Sequence, residues 1–132
     1  DMLIHLGDVE DDADYIEAIF ECPTHIVGGN NDFFSRLPRE EEFELEGHHI
    51  FITHGHAYYV SMGEAHLQEE ARRRGADIVY GHTHVPALTI DADLVTLNPG
   101  SLTYPRQQGR QATYMVMKLE KGKQPEVELK TV

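Results

Sequence analysis

Short apolar runs recur along the first half of the chain, each followed by glycine or a polar turn. Residues 2–6 and 24–27 are such runs, and residues 11–21 between them carry apolar side chains at helical spacing. Residues 41–56 predict a hairpin with Glu46-Gly47 as its turn and residues 50–53 as its inner strand. Residues 63–75 predict an amphipathic helix ending at Gly75, and residues 77–80 predict a buried strand.

The second half of the chain has a different pattern. Four β-type runs, with turn residues between them, cover residues 87–91, 94–101, 112–120 and 127–132. They predict a β-meander that follows the alternating strands and helices of the first half. This combination favours two packed sheets with helices outside them over one doubly wound sheet. No repeat or linker interrupts the 132 residues, so we expect a single domain over residues 1–132.

Composition excludes some functions. Eleven basic and twenty-three acidic side chains give a net charge of -12, which repels a phosphate backbone, so stable nucleic-acid binding is not expected. No apolar run approaches the length of a membrane span, so no membrane partner is expected. The single cysteine, Cys22, cannot form an internal disulfide, which fits a reducing cytoplasm.

Four of the predicted strands end in side chains that can bind a metal ion. In α/β folds the carboxyl ends of strands are where loops converge and sites assemble. A glycine stands beside each polar group, and glycine permits close backbone approach to a ligand. Any one of these groups alone would be read as a turn former or a structural histidine, but together they predict a metal site. They are Asp8 after the first strand, Asn30, Asn31 and Asp32 after the second, His54 and His56 after the third, and His82 and His84 after the fourth.

The spacing of His82 and His84 refines this prediction. On an extended backbone, side chains two residues apart project to the same side, which suits two neighbouring ions that each take one imidazole. The mixed oxygen and nitrogen ligands suit Mn, Fe, Ni, Co or Zn. Because no thiolate is in place, a structural zinc site built from cysteines is excluded.

The motifs "GD", "GNND", "THGH", "GHTH" and "NPGS", in this order, resemble those of the calcineurin-like metallophosphoesterases, and most closely their small YfcE-like phosphodiesterase branch. The likeness covers nearly the whole chain. It implies a four-layer α/β/β/α sandwich with two divalent metal ions at the strand ends, manganese first among the candidates. The implied reaction is hydrolysis of a small phosphoester by attack of metal-bound hydroxide on phosphorus. Dimers and larger assemblies are common in the family, so a homodimer or homotetramer is expected.

The resemblance also implies a role for each metal-competent side chain. Asp8 would bridge the two ions. Asn30, His54 and His82 would hold one ion, and His84 would hold the other.

Two further residues are the catalytic candidates. Asn31 occupies the position where many metallophosphoesterases carry the histidine that protonates the leaving group, which an asparagine cannot do. The general acid is therefore unassigned, with His56 as the candidate. Asn30 and His56 would also face the substrate, and Asp32 would orient the asparagine loop.

The family's first strand ends in Asp-x-His, which supplies two ligands to the ion held by His84. This sequence contains no Asp-x-His. We therefore expect the sandwich to lack its first strand, and one ion to lose much of its shell. Weak or single-metal occupancy and poor activity would follow if this sequence were the whole protein. The simpler expectation is that the natural protein has further residues upstream.

Other interpretations stay open. A catalytically weak or inactive scaffold protein on the same fold, as in the retromer scaffold subunit, is favoured by the lack of Asp-x-His and of a histidine at position 31. Retention of the metal ligands favours the enzyme, and a histidine-rich metal buffer would not need ligands at four strand ends.

Tyr58 and Tyr59 could flank a substrate or pack a loop, and Arg106 could contact a phosphate, a neighbouring subunit or solvent. Structural or surface roles are expected for the basic end of the helix (Arg72, Arg73, Arg74) and for the remaining histidines (His5, His25, His48, His49, His66).

Overall fold

The structure is a computed structural model that describes residues 1–9, 12–32 and 36–132. The two helices that it describes are α1 (Ala13–Ile19) and α2 (Ala65–Arg74), and two short 3-10 turns lie at His56–Tyr58 and Val60–Met62. The strands in these ranges are β1 (Leu3–His5), β2 (Thr24–Ile26), β3 (Glu40–Leu45), β4 (His48–Thr53), β5 (Asp77–Tyr80), β6 (Ala87–Ile90), β7 (Val95–Asn98), β8 (Thr113–Lys118) and β9 (Glu126–Thr131). No helix in these ranges is long and apolar enough to cross a membrane.

A five-stranded sheet in the order β3-β4-β5-β7-β6 forms the centre of the fold. Its three inner strands, β4, β5 and β7, run parallel, whereas the edge strands β3 and β6 are antiparallel to their neighbours. The inner strands are almost continuously buried, which is the pattern of strands covered on both faces. Two smaller sheets are separate from the central sheet: β1 and β2 form a parallel pair, and β8 and β9 form an antiparallel pair.

The expected β-meander is wrong in its pairing. β7 lies between β5 and β6 and pairs with β5 in parallel, while β8 and β9 pair only with each other among the described strands. Burial explains the order, since all four residues of β7 are buried but β6 alternates between half-buried and exposed positions. A strand with one solvent-exposed face suits the edge of a sheet, and a strand with two buried faces suits the interior.

The two faces of the central sheet carry two separate hydrophobic clusters. On one face, Phe51 and Ile78 pack with Leu67 of α2. On the other, Ile50 and Ile52 pack with residues of the β1-β2 pair and of the β8-β9 hairpin. This division follows from the two-residue period of β4, which sends neighbouring side chains to opposite faces. The predicted α/β sandwich of packed sheets is therefore confirmed, and α1 lies outside it with none of its residues buried.

The predicted turns and the helix end are confirmed. Glu46 and Gly47 have φ angles of 50° and 77°, which is the left-handed pair that closes a tight two-residue hairpin between β3 and β4. Gly75, with φ of 66°, ends α2 by donating its N–H back to the last carbonyls of the helix.

The basic end of α2 ties the helix to the sheet. Arg74 lies 2.8 Å from Glu40 and 2.6 Å from Glu42, both on β3, and 2.9 Å from Glu70 one turn back on its own helix. Its guanidinium carbon also sits 4.2 Å above the ring centroid of Phe51. We call Arg74, these three glutamates and Phe51 the α2 corner. Every charged group in it faces a partner of opposite charge, which supports the structural interpretation of these arginines.

Candidate metal centre

Glycines allow the loops after β1 and β2 to touch. Gly7 has φ of 108°, and a Cβ there would lie 2.7 Å from both the amide nitrogen of Gly29 and Nδ1 of His54. A Cβ on Gly29 would overlap the Asp8 carboxylate and lie 2.6 Å from its amide nitrogen. Such separations are too short for a real side chain, so both positions require glycine. Glycine therefore permits close approach between the two loops here, and its predicted role in close approach to a ligand stays a prediction.

The asparagine loop holds Asp8 in place from two directions. Oδ2 of Asp32 accepts hydrogen bonds from the backbone N–H groups of Asp8 and Gly29, each at 2.8 Å. Asn31 donates its backbone N–H to Oδ1 of Asp8 at 2.9 Å and its side-chain amide to Oδ2 at 3.1 Å. Asp8 itself takes a left-handed φ of 58°, which turns its carboxylate toward this loop. Asp32 therefore orients the asparagine loop as predicted, and Asn31 holds the Asp8 carboxylate by two hydrogen bonds.

His54 is buried with its proton already assigned. The side chain is 2% exposed, and Nδ1 lies 2.6 Å from the carbonyl oxygen of Leu6. A carbonyl can only accept, so Nδ1 must carry the hydrogen. Burial lowers the pKa of His54, which keeps the ring neutral near pH 7. The other nitrogen, Nε2, is therefore a bare lone pair.

The Nε2 lone pair of His54 faces further acceptors. Oδ1 of Asn30 lies 2.9 Å away, Nδ1 of His82 3.1 Å and Oδ2 of Asp8 3.5 Å. A proton on His82 would satisfy one of these contacts, but the carboxylate and the amide oxygen would still face the lone pair. A cation satisfies all of them at once, and oxygen and imidazole donors suit a first-row divalent metal. We call Asp8, Asn30, His54 and His82 the acceptor cluster.

The amide oxygen of Asn30 is essential to this interpretation. Within the described ranges, no three His, Cys, Asp or Glu side chains form a metal-holding group by themselves. The Asn30 oxygen lies 3.2 Å from His82 as well as 2.9 Å from His54, so it stands between the two imidazoles. The residues present fit a metal ion as a mixed set of carboxylate, amide and imidazole, and not as a set of imidazoles and carboxylates alone.

The expectation of an extended backbone at His82 and His84 is wrong. β5 ends at Tyr80, and the two histidines have φ angles of 68° and 60°, both left-handed. His82 turns into the acceptor cluster. His84 bonds instead to the following loop, with Nδ1 2.8 Å from the Tyr104 carbonyl and its own carbonyl accepting from the Arg106 N–H at 3.1 Å. The two imidazoles therefore lie in different surroundings, because the backbone turns between them.

A buried asparagine that the sequence showed only as part of "NPGS" fixes this turn. Asn98 is fully buried and donates its amide hydrogens to the Gly81 carbonyl at 3.1 Å and the Thr83 hydroxyl at 2.9 Å. Its Oδ1 accepts the Gly100 N–H at 3.0 Å, so all of its polar atoms are used. A buried side chain with this many partners rigidifies the loop that carries His82.

His56 lies beside the acceptor cluster. Its ring centroid is 5.3 Å from that of His54 and 6.2 Å from that of His82. Nη1 of Arg39 lies 3.1 Å from its Nε2, and its Nδ1 is buried with no hydrogen-bond partner in the described part of the chain. Burial and, secondarily, the Arg39 charge lower the pKa of His56. Arg39 was not predicted, because it is one of two arginines, with Arg36, between the asparagine loop and an acidic strand, and nothing in the local sequence distinguishes it.

The other residues considered from sequence are not members of the acceptor cluster. Tyr58 packs against the α2-side cluster and donates its hydroxyl to Glu40 at 2.7 Å, whereas Tyr59 is exposed. Arg106 contacts His84 only through its backbone, and its charge contributes to lowering the pKa of His82 after burial and His56. Structural contacts to carboxylates, backbone groups or neighbouring rings are made by His5, His25, His48, His49 and His66.

Comparison with known proteins decides the family. The model of the calcineurin-like phosphoesterase superfamily domain matches residues 1–122. The chain belongs to the calcineurin-like phosphoesterase superfamily. A probable metallophosphoesterase of Methanocaldococcus jannaschii is 34% identical over 108 residues, which are 80% of this chain and 55% of that protein. The phosphodiesterase YfcE of Escherichia coli is 36% identical over 70 residues, or 53% of this chain and 34% of YfcE. The chain thus spans about half the length, or less, of these two relatives.

Solved structures share the fold. A predicted phosphoesterase from Streptococcus pneumoniae superposes with a TM-score of 0.86 at 29% identity, covering 99% of this chain and 74% of that one. Vps29 of Entamoeba histolytica complexed with zinc has a TM-score of 0.79 at 18% identity and covers 98% of this chain and 81% of its own. The predicted resemblance to the calcineurin-like metallophosphoesterases is confirmed at the level of the superfamily.

Proposed function

We propose that the protein is a metal-dependent phosphodiesterase that hydrolyses a small phosphoester. The observation that carries the proposal is the bare Nε2 of His54, which faces Asp8, Asn30 and His82 and lacks a proton to share with them. Membership of the phosphoesterase superfamily and the likeness to a phosphodiesterase support the choice of reaction.

The acceptor cluster would hold one divalent ion, and Asp8 together with His84 would contribute to a second. Manganese is the proposed native metal, and the same ligand types also suit Ni, Fe, Co or Zn. Bound divalent ions would supply Lewis-acid chemistry here, since they neutralise phosphoryl oxygens and lower the pKa of bound water from 15.7 to about 7.

The chain's own residues would orient the reaction. Asn31 holds the Asp8 carboxylate and Asp32 holds its backbone, so this side chain is fixed before any ion would bind it. Because Arg39 donates to Nε2 of His56, the neutral ring carries its proton on Nδ1 and can donate it to a phosphoryl oxygen. A neutral imidazole is a hydrogen-bond donor without the extra proton of an acid. We therefore propose substrate binding as the role of His56, and its role as leaving-group acid stays a prediction.

Manganese-dependent turnover of bis-p-nitrophenyl phosphate tests the proposal. We expect release of p-nitrophenol by the manganese-loaded wild type, and loss of it in Asp8→Asn, which keeps the shape of the side chain. The matched control is His49→Ala, because His49 pairs with Glu42 on the face of the hairpin and should keep full turnover. Equal turnover in wild type and Asp8→Asn would overturn the assignment.

A scaffold or binding protein is the second candidate. It is favoured by position 31, where the side-chain amide of Asn31 bonds to Asp8 and the residue is not a histidine that could protonate a leaving group. A scaffold would retain metal without turnover. Tight manganese binding with no diesterase activity, both in this chain and in any longer natural form of the protein, would select it. Cytoplasmic location and assembly as a homodimer or homotetramer stay predictions for either candidate.

A further inference from the structure

The proposed substrate is an anion, and this chain is strongly acidic. With a net charge of -12 and carboxylates of Asp8 and Asp32 at the strand ends, the protein repels a phosphoester at long range. Bound cations offset part of this repulsion. A phosphate held in one orientation also needs donors from side chains, and guanidinium groups provide them in a planar fork.

Three of the seven arginines in the sequence are already neutralised. Arg72, Arg73 and Arg74 each lie within ion-pair distance of one or more carboxylates. Arg39 differs from them. Among the described residues no carboxylate lies within ion-pair distance of its guanidinium, and its side-chain contact is instead the imidazole of His56.

The contact with His56 leaves most of the Arg39 donors available. A guanidinium has five N–H donors and no acceptor, and the 3.1 Å contact to Nε2 of His56 uses one of them. Arg39 is exposed, so the remaining donors are open to solvent. The His56 ring lies 5.3 Å from the His54 ring, which places the guanidinium beside the acceptor cluster and not at a remote surface.

The same contact prepares a second donor. Because Arg39 can only donate, His56 must accept at Nε2 and carry its hydrogen on Nδ1. Nδ1 is buried and has no hydrogen-bond partner in the part of the chain that the structure describes. A buried donor without a partner is costly, and a ligand oxygen that reached this proton would remove the cost. Arg39 thus presents free donors to solvent beside the acceptor cluster, and His56 holds one further donor, buried, next to them.

We propose that Arg39 is a substrate-positioning residue that binds a non-bridging oxygen of the phosphoester, and that it fixes the Nδ1–H form of His56 for the same purpose. This inference rests on the proposed function. It assigns the recognition of the phosphate to a residue outside the strand-end motifs.

Binding of inorganic phosphate to the manganese-loaded protein, measured by titration calorimetry, tests the proposal without any turnover. We expect Arg39→Ala to weaken phosphate binding by about tenfold, the usual scale for one charge-assisted hydrogen bond. Arg39→Lys should recover part of the loss, because it restores the charge without the fork. Arg36→Ala is the matched control, since Arg36 is exposed three residues earlier and has no hydrogen bond to His56 in the part of the chain that the structure describes. Its phosphate affinity should equal that of wild type.

Two further readouts separate positioning from a merely structural role. In diester hydrolysis, Arg39→Ala should raise KM about tenfold with kcat nearly unchanged. In nitrogen-15 NMR spectra, His56 of the wild type should show the Nδ1–H form, and Arg39→Ala should shift it toward the Nε2–H form. Phosphate binding that is equal in wild type and Arg39→Ala, or absent from both, would overturn the proposal. Phosphate binding that depends on Arg39 in a protein without hydrolytic activity would uphold it and overturn the proposed function alone.

Discussion

The α2 corner and the acceptor cluster are both built from polar side chains, but they differ in how donors and acceptors are matched. In the α2 corner, the guanidinium of Arg74 meets Glu40, Glu42 and Glu70, so each donor faces an acceptor. In the acceptor cluster, the lone pair of His54 meets a carboxylate and an amide oxygen. The first arrangement is complete in the protein alone, and the second becomes complete when a cation is present.

The balance of donors and acceptors distinguishes a structural polar group from one that can bind a ligand. Burial alone does not separate them, because partly buried charged side chains occur in both regions, with Arg74 17% and Asp8 19% exposed. The separating observation is the proton on Nδ1 of His54, which the Leu6 carbonyl fixes. Once that proton is placed, the remaining contacts have an excess of acceptors. If the α2 corner serves stability and the acceptor cluster serves metal binding, a substitution in either region should change only one of these two properties.

The largest effect is expected from Gly29→Ala. The new Cβ would overlap the Asp8 carboxylate, so the loops after β1 and β2 would have to separate. We expect loss of measurable manganese binding and a decrease of about 3 kcal/mol in the free energy of unfolding. Urea unfolding and metal titration measure the two quantities.

Gly28→Ala is the matched control for that change. A Cβ at Gly28 would meet the Leu37 carbonyl at 3.5 Å, an ordinary van der Waals contact, and its φ is not left-handed. We expect metal binding to be retained in this variant. If both alanine variants bind manganese as wild type does, the close approach of the two loops does not matter to the site.

The next largest effect is expected from His82→Ala, which should change metal binding without changing stability. His82→Ala should weaken manganese binding by at least about a hundredfold, more than the loss of a residue that only supports a ligand. It should leave the stability of the metal-free protein nearly unchanged, because it removes one of the crowded acceptors. Calorimetric metal titration and metal-free urea unfolding provide both measurements.

Arg74→Ala should show the reverse behaviour. Its side chain is 17% exposed and covers Phe51, so its removal should lower the free energy of unfolding by about 2 kcal/mol, less than for a fully buried ion pair. Manganese affinity should stay within twofold of wild type. A parallel loss of metal affinity in Arg74→Ala would show that the two regions are not independent.

The smallest effect concerns the pH dependence of the α2 corner. Hydrogen bonds from Arg73 and then Arg74 lower the pKa of Glu70 from its ordinary value of 4.5 to about 2. A carboxyl whose pKa is lower in the folded state stabilises the fold above the unfolded pKa, and that stabilisation disappears as pH falls from about 4.5 toward 2. The stability difference between wild type and Glu70→Gln should therefore be largest at neutral pH.

Urea midpoints of both proteins at about pH 7 and about pH 3 measure this trend. The wild type should lead at neutral pH, and the gap should narrow in acid. A gap that widens on acidification would contradict the assigned ion pairs.

Much of the fold and of the acceptor cluster could be predicted from the sequence, because both depend on local signals. The hairpin at Glu46-Gly47 and the end of α2 at Gly75 follow from left-handed backbone positions. The strand-end positions of Asp8 and His54 follow from apolar runs that stop at glycine. These features need only the neighbouring residues.

The features that escaped prediction depend on contacts between distant segments. The left-handed turn at His82 and His84 is held by Asn98, fourteen or more residues away in sequence. The placement of β7 inside the sheet depends on which face other strands cover. Arg39 meets His56 across the hairpin, and no local pattern marks it.

The most direct test of the central claim is the manganese content of this chain after metal loading and desalting, measured by elemental analysis. The acceptor cluster predicts at least one ion per chain in the wild type and its loss in His82→Ala. A second ion would add support for a position at His84. A wild-type chain that retains no manganese, or retains as much as His82→Ala does, would contradict the assignment of Asp8, Asn30, His54 and His82 as a metal centre.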